Sequence, residues 1–172
     1  MKQFIHYVDR LNELIGRALG WLTFAMVITT CVLVVLRYLF NAGNLVFLQE
    51  LIIYLHAATF MLGAAWVLKN DGHVRVDVFY RKASARRKAW INSLGTLIFL
   101  FPLAFFLLLS SHSFVERSWQ LLESSPEPGG IPAVFLLKTL IPIMAILLIL
   151  QGSAELVRNA VKLVGAEVQP ND

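Results

Sequence analysis

The chain is poor in the residues that build most catalytic and metal sites. Cys31 is its only cysteine, which excludes an intramolecular disulfide and a thiolate metal cluster. Charged residues make up 15% of the sequence, and no acidic residue lies in the middle of a long apolar run. No set of residues suggests a catalytic site. The sequence therefore predicts a protein that is not an enzyme and that binds no metal or cofactor.

Apolar residues are what the sequence has in abundance. They account for 58% of the 172 residues, against about 45–50% in an average soluble domain. They form four runs, at residues 18–36, 48–68, 89–110 and 133–157, each long enough to cross about 30 Å of hydrocarbon as a helix. The expected fold is an all-α membrane protein in which residues 1–172 form one domain with four transmembrane helices.

The basic residues lie between the apolar runs and form no continuous stripe, so nucleic acid is not an expected partner. Three precede the first run, seven lie between the second and third, and two follow the fourth. The other two connections contain only Arg37 and Arg117. Because Lys and Arg are enriched in cytoplasmic segments of membrane proteins, both termini are expected in the cytoplasm. The basic segments are expected to contact membrane lipids.

Residues 1–17 have the pattern of an amphipathic helix. Phe4, Val8, Leu11 and Ile15 fall at helical spacing, with polar residues on the opposite face. Such a helix lies along the membrane surface and turns into the membrane at the first span. A plain N-terminal extension of the first span is the alternative.

Three residues predict local features of the third and fourth spans. Ser84 stands where the N-cap of the third span is expected. Pro102 lies inside the third span and Pro142 inside the fourth. Neighbouring helices can satisfy the carbonyl groups that a proline leaves free, so we expect kinks at these positions and no breaks.

Two features of the first two spans are candidates for structural or interface contacts. Arg37 ends the first span and Glu50 begins the second, so a short hairpin would bring them to the same depth. An ion pair between them is predicted, with contact to a partner subunit as the alternative. Gly63 is followed by two alanines, and small residues let helices approach closely in lipid. Spacing leaves open whether that interface is internal or with another chain.

Two histidine arrangements could bind a cofactor or metal. His56 and His112 lie toward the same half of the membrane and could together ligate a haem, provided that both lie inside the bundle. His73 and Asp77 are four residues apart, a spacing that suits a metal pair. Two ligands do not make a site, and Asp77 can pair with Arg81 instead. Helix packing and polar contacts are the simpler interpretation of both arrangements.

The connection at residues 121–132 is rich in Pro, Gly and Ser, which predicts turns. With cytoplasmic termini, it is the longest exposed segment on the outer side of the membrane. Its surface is negative because Glu116, Glu123 and Glu127 lie in or beside it. These three residues are candidates for contact with a soluble partner.

Several motifs together resemble the small, Q-type membrane subunit of tripartite ATP-independent periplasmic (TRAP) transporters. They are RYLFN at 37–41, QEL at 49–51 with Tyr54, GAA at 63–65 and, as the most specific, DGHVRVD at 71–77. The EPGGIPA segment at 127–133, with Lys138, resembles the branch labelled mannitol/chloroaromatic. Phe47 departs from the family, which often has Trp near the start of the second span.

The resemblance implies a sodium-coupled secondary transporter in a bacterial inner membrane that imports an organic acid. A soluble periplasmic binding protein delivers the solute, a large membrane subunit carries it, and the small subunit braces the large one. Structural and interface candidates are then Arg37, Glu50, Gly63, His73, Arg75 and Asp77, and docking candidates for the binding protein are Glu116, Glu123 and Glu127. The competing hypotheses are a haem-bearing membrane anchor and a stand-alone small exporter, which would need an acidic residue deep in a span.

Overall fold

Four long helices build the part of the chain that the structure describes. The computed structural model describes residues 2–70, 72 and 83–165. Within these ranges lie α1 (Lys2–Tyr38), α2 (Val46–Lys69), α3 (Ala85–Gln120) and α4 (Val134–Gly165). Each of them is long and apolar enough to cross a membrane. The prediction of an all-α, multi-pass membrane protein with four spans is confirmed.

The first helix, α1, has no break between the amphipathic segment and the first span. Its 37 residues extend over about 55 Å at 1.5 Å per residue, which is well beyond the thickness of the hydrocarbon core. Val8 and Asn12 are buried, so the N-terminal segment packs against other helices of the bundle. A separate interfacial helix over residues 1–17 is therefore not the arrangement found. The segment extends the first span.

The fourth helix, α4, is central to the bundle. It packs against α1, α2 and α3, and α1 also packs along α2. The core where α2, α3 and α4 meet consists of Ala65, Ala104, Leu147 and Leu148. Small residues in this core let the helix backbones approach closely. Aliphatic side chains therefore fill the interior at this level.

Two glycines allow α1 and α2 to pack closely. A Cβ atom on Gly63 would lie 3.2 Å from Leu19 Cδ1. A Cβ atom on Gly16 would lie 2.3 Å from the ring of Trp66, where no Cβ can be placed without moving the indole. The GAA segment at 63–65 thus serves an interface within this chain, which answers the question that its spacing left open.

The predicted N-cap of α3 is present, and α3 and α4 continue past their prolines as predicted. Ser84 precedes α3 in an extended conformation, and its hydroxyl accepts a hydrogen bond of 3.4 Å from the Arg87 N–H. The predicted N-cap is therefore confirmed. α4 runs through Pro142 as one helix, and α3 continues past Pro102. Neither proline breaks its helix.

The third helix, α3, contains a π turn at Thr96–Leu100. At its end the Phe101 N–H donates to the Thr96 carbonyl, five residues back instead of the usual four. Pro102 follows directly, and a proline has no N–H and clashes with the carbonyl group four residues earlier. The wider turn relieves this clash, so the helix continues.

The π turn also keeps one face of α3 against α4, the helix on which it packs. The small buried residues of α3 are seven positions apart, except across the π turn, where the step is eight. They are Ala89, Thr96, Ala104, Ser111 and Ser118. Seven residues of α-helix return to within about 20° of the starting face, whereas eight overshoot by about 80°. The extra residue of the π turn absorbs this difference, so the small residues form a single stripe.

Candidate functional site

Polar side chains gather at the two ends of the bundle. The loop end contains the C-terminus of α1, the N-terminus of α2 and residues 121–133, and the terminal end contains the N-terminus of α1 and the C-terminus of α4. The loop-end cluster consists of Glu50, Ser118, Glu123, Ser125 and Lys138. The terminal-end cluster consists of Asp9, Asn12, Gln151, Glu155 and Arg158. Each cluster joins segments that are far apart in the sequence.

Glu50 fixes the 121–133 connection to α2. Its carboxylate accepts one hydrogen bond from the Ser125 hydroxyl and another, of 2.6 Å, from the Ile131 N–H. A Cβ atom on Gly130 would lie 2.6 Å from Glu50 Oε1, so glycine is needed for the loop backbone to come this close. Hydrogen bonds to an ionised group are about twice as strong as neutral ones. Glu50 is therefore an anchor for the loop.

The predicted ion pair between Arg37 and Glu50 is wrong. Both oxygens of the half-buried Glu50 carboxylate are bound by the loop, whereas Arg37 is exposed at the end of α1. Within the described residues, Arg37 forms no ion pair. The reason is that the loop supplies uncharged donors at close range, which satisfy the carboxylate without a cation.

Glu123 is the second anchor of the loop. Lys138 on α4 forms an ion pair with its Oε2, and the Ser118 hydroxyl on α3 donates to the same oxygen at 2.6 Å. The hydrogen bonds from Lys138 and then Ser118 hold the pKa of the Glu123 carboxyl below its usual range. Lys138 Nζ also lies 4.0 Å from the centre of the Phe114 ring. The loop is thus tied to α2, α3 and α4.

The three acidic residues predicted to face a soluble partner have different surroundings. Glu123 is held within the chain by Lys138. Glu127 is exposed, and Glu116 is exposed with one carboxylate oxygen 3.9 Å from His112 Nε2. Glu116 and Glu127 are therefore the members of this set whose charges are presented to the surroundings.

The terminal-end cluster joins α1 to α4 through buried hydrogen bonds. Asn12 Nδ2 donates to Gln151 Oε1 at 2.7 Å, and both side chains are fully buried. Gln151 donates in turn to Glu155 at 3.2 Å, and Glu155 also accepts from Arg158. Arg158 NH2 contacts both carboxylate oxygens of Asp9, at 2.8 and 3.0 Å. Because a shift between α1 and α4 would leave buried amides without partners, this chain of bonds favours one register.

One residue of the terminal-end cluster, Gln151, could have been recognised from the sequence as needing a buried partner. Gln151 lies inside the predicted fourth span, and a polar side chain in an apolar run needs a hydrogen-bond partner when it is buried. Its partner, Asn12, belongs to the segment predicted to lie on the membrane surface. A second contact between the ends of helices, in which Lys69 on α2 binds Glu13 on α1 at 2.8 Å, was likewise not predicted.

The two histidines considered for haem do not lie inside the bundle. His56 on α2 and His112 on α3 are both exposed on its surface. A bis-histidine site needs both imidazoles on the two sides of one interior cavity. The described residues also contain no group of three or more His, Cys, Asp or Glu side chains that could hold a metal ion.

The remaining interface candidates belong to the DGHVRVD motif and lie outside the described residues: His73, Arg75 and Asp77. Among the residues that are described, the polar clusters connect helices to one another and to the loop. Their donors and acceptors are mostly used within the chain. Such an arrangement stabilises the packing of the helices and the shape of the loop.

Comparison with known proteins identifies the family. Residues 26–162, most of the chain, match the family described as "Tripartite ATP-independent periplasmic transporters, DctQ component". A protein of Vibrio cholerae serotype O1, the C4-dicarboxylate TRAP transporter small permease protein DctQ, is 30% identical over 128 residues. These residues are 71% of this chain and 53% of that protein, so the chain spans about half the length of the curated relative it matches. No solved structure matches. The chain therefore belongs to the family of DctQ components of tripartite ATP-independent periplasmic transporters.

Proposed function

We propose that this chain is the small permease subunit of a sodium-coupled TRAP transporter in a bacterial inner membrane. Both termini lie in the cytoplasm, and the loop end faces the periplasm. A periplasmic binding protein delivers an organic acid to a large membrane subunit, for which this chain is the scaffold. The name of the Vibrio relative makes C4-dicarboxylates the first solutes to test.

The scaffold role is supported by the packing of the bundle interior. Where α2, α3 and α4 meet, the space is filled by Ala65, Ala104, Leu147 and Leu148. An ion or organic acid that crosses a membrane needs polar ligands and room along its path. The aliphatic core separates the loop-end cluster from the terminal-end cluster, whose innermost member, Gln151, is occupied by hydrogen bonds to Asn12 and Glu155. A chain packed in this way supports a transport subunit and does not itself carry the solute.

Reconstitution into proteoliposomes tests the scaffold role. We expect uptake of a radiolabelled C4-dicarboxylate to require this chain, the large subunit, the binding protein and an inward sodium gradient together. Liposomes with the large subunit and the binding protein, but without this chain, are the control. Sodium-driven uptake by this chain alone, or full uptake without it, would contradict the proposal.

Cysteine labelling tests the orientation. In a Cys31→Ser background, a single cysteine at Glu127 should react with a membrane-impermeant maleimide in intact spheroplasts. A single cysteine at Arg10, which is also exposed, should react only after the membrane is permeabilised. The opposite pattern would place the termini in the periplasm.

We also propose that the loop end docks the binding protein through Glu116 and Glu127. The anchors at Glu50 and Glu123 hold the connection in one shape, so it loses little conformational entropy on contact. Exposed carboxylates would attract basic groups on the binding protein and accelerate encounter. Glu127→Lys should therefore raise the binding-protein concentration needed for half-maximal uptake, and high salt should reduce the difference.

A charge reversal at the other end of the bundle is the matched control for docking. Arg10→Glu changes an exposed residue of the terminal end and should leave the dependence on binding-protein concentration unchanged. If Glu127→Lys and Glu116→Lys also leave it unchanged while the membrane complex stays intact, the loop end is not the docking surface.

A further inference from the structure

His56 lies deep in the membrane on the outer surface of α2. It is the eleventh of 24 residues in this helix, about 15 Å from one end and about 20 Å from the other at 1.5 Å per residue. Its side chain is exposed, and it has no hydrogen bond or ion pair within the described residues. Long Lys and Arg side chains reach the headgroups from near a helix end, but an imidazole cannot do so from this depth.

Hydroxyl side chains in the spans show how a polar group is satisfied without a partner chain. The Thr30 hydroxyl donates to the Met26 carbonyl at 2.8 Å, and Thr59 donates to Leu55 at 2.8 Å. His56 makes no such bond to its own helix. Ionisable residues in transmembrane segments almost always face protein or a water-filled cavity, where they find a partner. His56 has no such partner within the described part of the chain.

The exposed surface of α2 is a narrow stripe. Ile53 and Phe60, three positions before and four after His56, lie on the same face and are 57% and 70% exposed. The positions beside the stripe are partly buried against the rest of the bundle. α3 differs, because around Phe99 and Phe106 its exposed surface is broad and apolar, which suits lipid acyl chains.

We infer that the stripe of Ile53, His56 and Phe60 is the surface on which the large membrane subunit docks. A transmembrane helix of that subunit would present a hydroxyl, an amide or a free backbone carbonyl to the His56 imidazole, which offers an N–H donor and a nitrogen acceptor. Acyl chains offer neither. The inference rests on the proposed function, since that function supplies the large subunit as the partner.

Site-specific photocrosslinking in membranes that contain the whole complex tests the inference. A benzophenone amino acid is placed at Ile53 or Phe60, and in matched controls at Phe99 or Phe106, which are 73% and 66% exposed. We expect adducts with the large subunit from the first pair and none from the second. Adducts with the large subunit from α3 alone, or adducts from α2 with a second copy of this chain or with lipid alone, would overturn the inference.

Variants of His56 test the polar contact. His56→Leu should reduce the large subunit that copurifies with a tagged chain by roughly threefold, the average effect of an interhelical hydrogen bond in membranes, and His56→Gln should retain most of it. Thr30→Val, which removes a hydroxyl satisfied by its own helix, should have no effect. Equal retention by His56→Leu and the wild type would overturn the inference.

The same experiments distinguish a failure of the proposed function from a failure of the α2 docking surface. If no large subunit copurifies with the wild-type chain, the proposed function fails. If the large subunit copurifies but crosslinks only to α3, the scaffold role stands and the α2 surface is wrong.

Discussion

Asn12 on α1 and Gln151 on α4 are 139 residues apart in the sequence, yet their side chains share a hydrogen bond of 2.7 Å inside the bundle. Both amides are fully buried. The bond therefore holds the N-terminal extension of α1 against α4, at the level where Asp9 and Arg158 form an ion pair. The extension is part of the bundle and not a loose leader to the first span.

The first prediction follows from this contact. Asn12→Leu should lower the stability of the full chain in detergent by about 1–3 kcal/mol, because it leaves the buried Gln151 amide without one of its partners. The double variant Asn12→Leu/Gln151→Leu should lose less than the sum of the two single losses. Thermal unfolding followed by tryptophan fluorescence measures both effects. Strictly additive losses would show that the two amides do not depend on each other.

The second prediction concerns two glycines one turn apart on α1. Gly16→Ala should destabilise the bundle by about 1–3 kcal/mol, since the new methyl group would overlap the Trp66 ring. Gly20→Ala is the matched control, because a Cβ atom there meets nothing within 4 Å. It should be neutral or slightly stabilising, as alanine favours helix more than glycine does. Equal melting temperatures for the two variants would contradict the close packing of α1 on α2.

The third prediction separates Glu50 from Arg37. Glu50→Gln weakens two hydrogen bonds that anchor the loop, so amide hydrogen exchange over residues 121–133 should become faster. Arg37→Gln should leave exchange in this loop unchanged, because Arg37 does not contact Glu50. Exchanging both charges in the double variant Arg37→Glu/Glu50→Arg should rescue nothing relative to Glu50→Arg. Slower exchange in the double variant than in Glu50→Arg would show that Arg37 and Glu50 do form an ion pair.

The fourth prediction concerns pH and the Glu123–Lys138 pair. In the folded chain the pKa of Glu123 lies below its ordinary value of 4.5. The charge of Glu123 therefore stabilises the folded chain fully at pH values above the ordinary pKa of 4.5. This stabilisation is lost as the pH falls through the lower pKa of the folded state. The difference in melting temperature between the wild type and Glu123→Gln should be constant from about pH 8 to pH 6 and should shrink in acid. A difference that grows as the pH falls would contradict the assignment.

The fifth prediction tests the register of α3. In a Pro102→Ala background, where the proline clash is absent, deletion of Ile98 removes the extra residue of the π turn. It should leave the small residues on one face, so the chain should fold and assemble. Deletion of Phe106 is the matched control, since both residues are exposed and apolar. The deletion of Phe106 rotates Ser111 and Ser118 away from α4 by about 100°. The yield of monodisperse protein should therefore fall sharply.

Elements that depend on local patterns were predictable from the sequence. Apolar runs of sufficient length gave the four spans, and Ser84 marked the start of α3 because an N-cap is decided within one turn. The family also followed from short motifs. The likeness of the EPGGIPA segment to the mannitol/chloroaromatic branch stays a prediction, although the contact between Gly130 and Glu50 explains why glycine is needed there.

Contacts between distant segments were not predictable in the same way. The Arg37–Glu50 pair failed because the folding of residues 121–133 decides which donors reach Glu50. Gln151 stands out as a polar residue in an apolar run, but Asn12 cannot be recognised as its partner until α1 is known to continue as one helix beside α4. The exposure of His56 became known only from the structure, because the sequence predicts its depth in the membrane but not the direction in which its side chain points.

The π turn at Thr96–Leu100 has a consequence for aligning this chain with its relatives. The π turn contains one residue more than a regular α-helix would need over the same length. The small buried residues before and after it nevertheless lie on the same face of α3. A relative whose third span is a regular α-helix should match this chain only when a single-residue gap is placed between residues 96 and 100. An ungapped alignment would compare lipid-facing positions of one protein with packed positions of the other over the whole second half of the span.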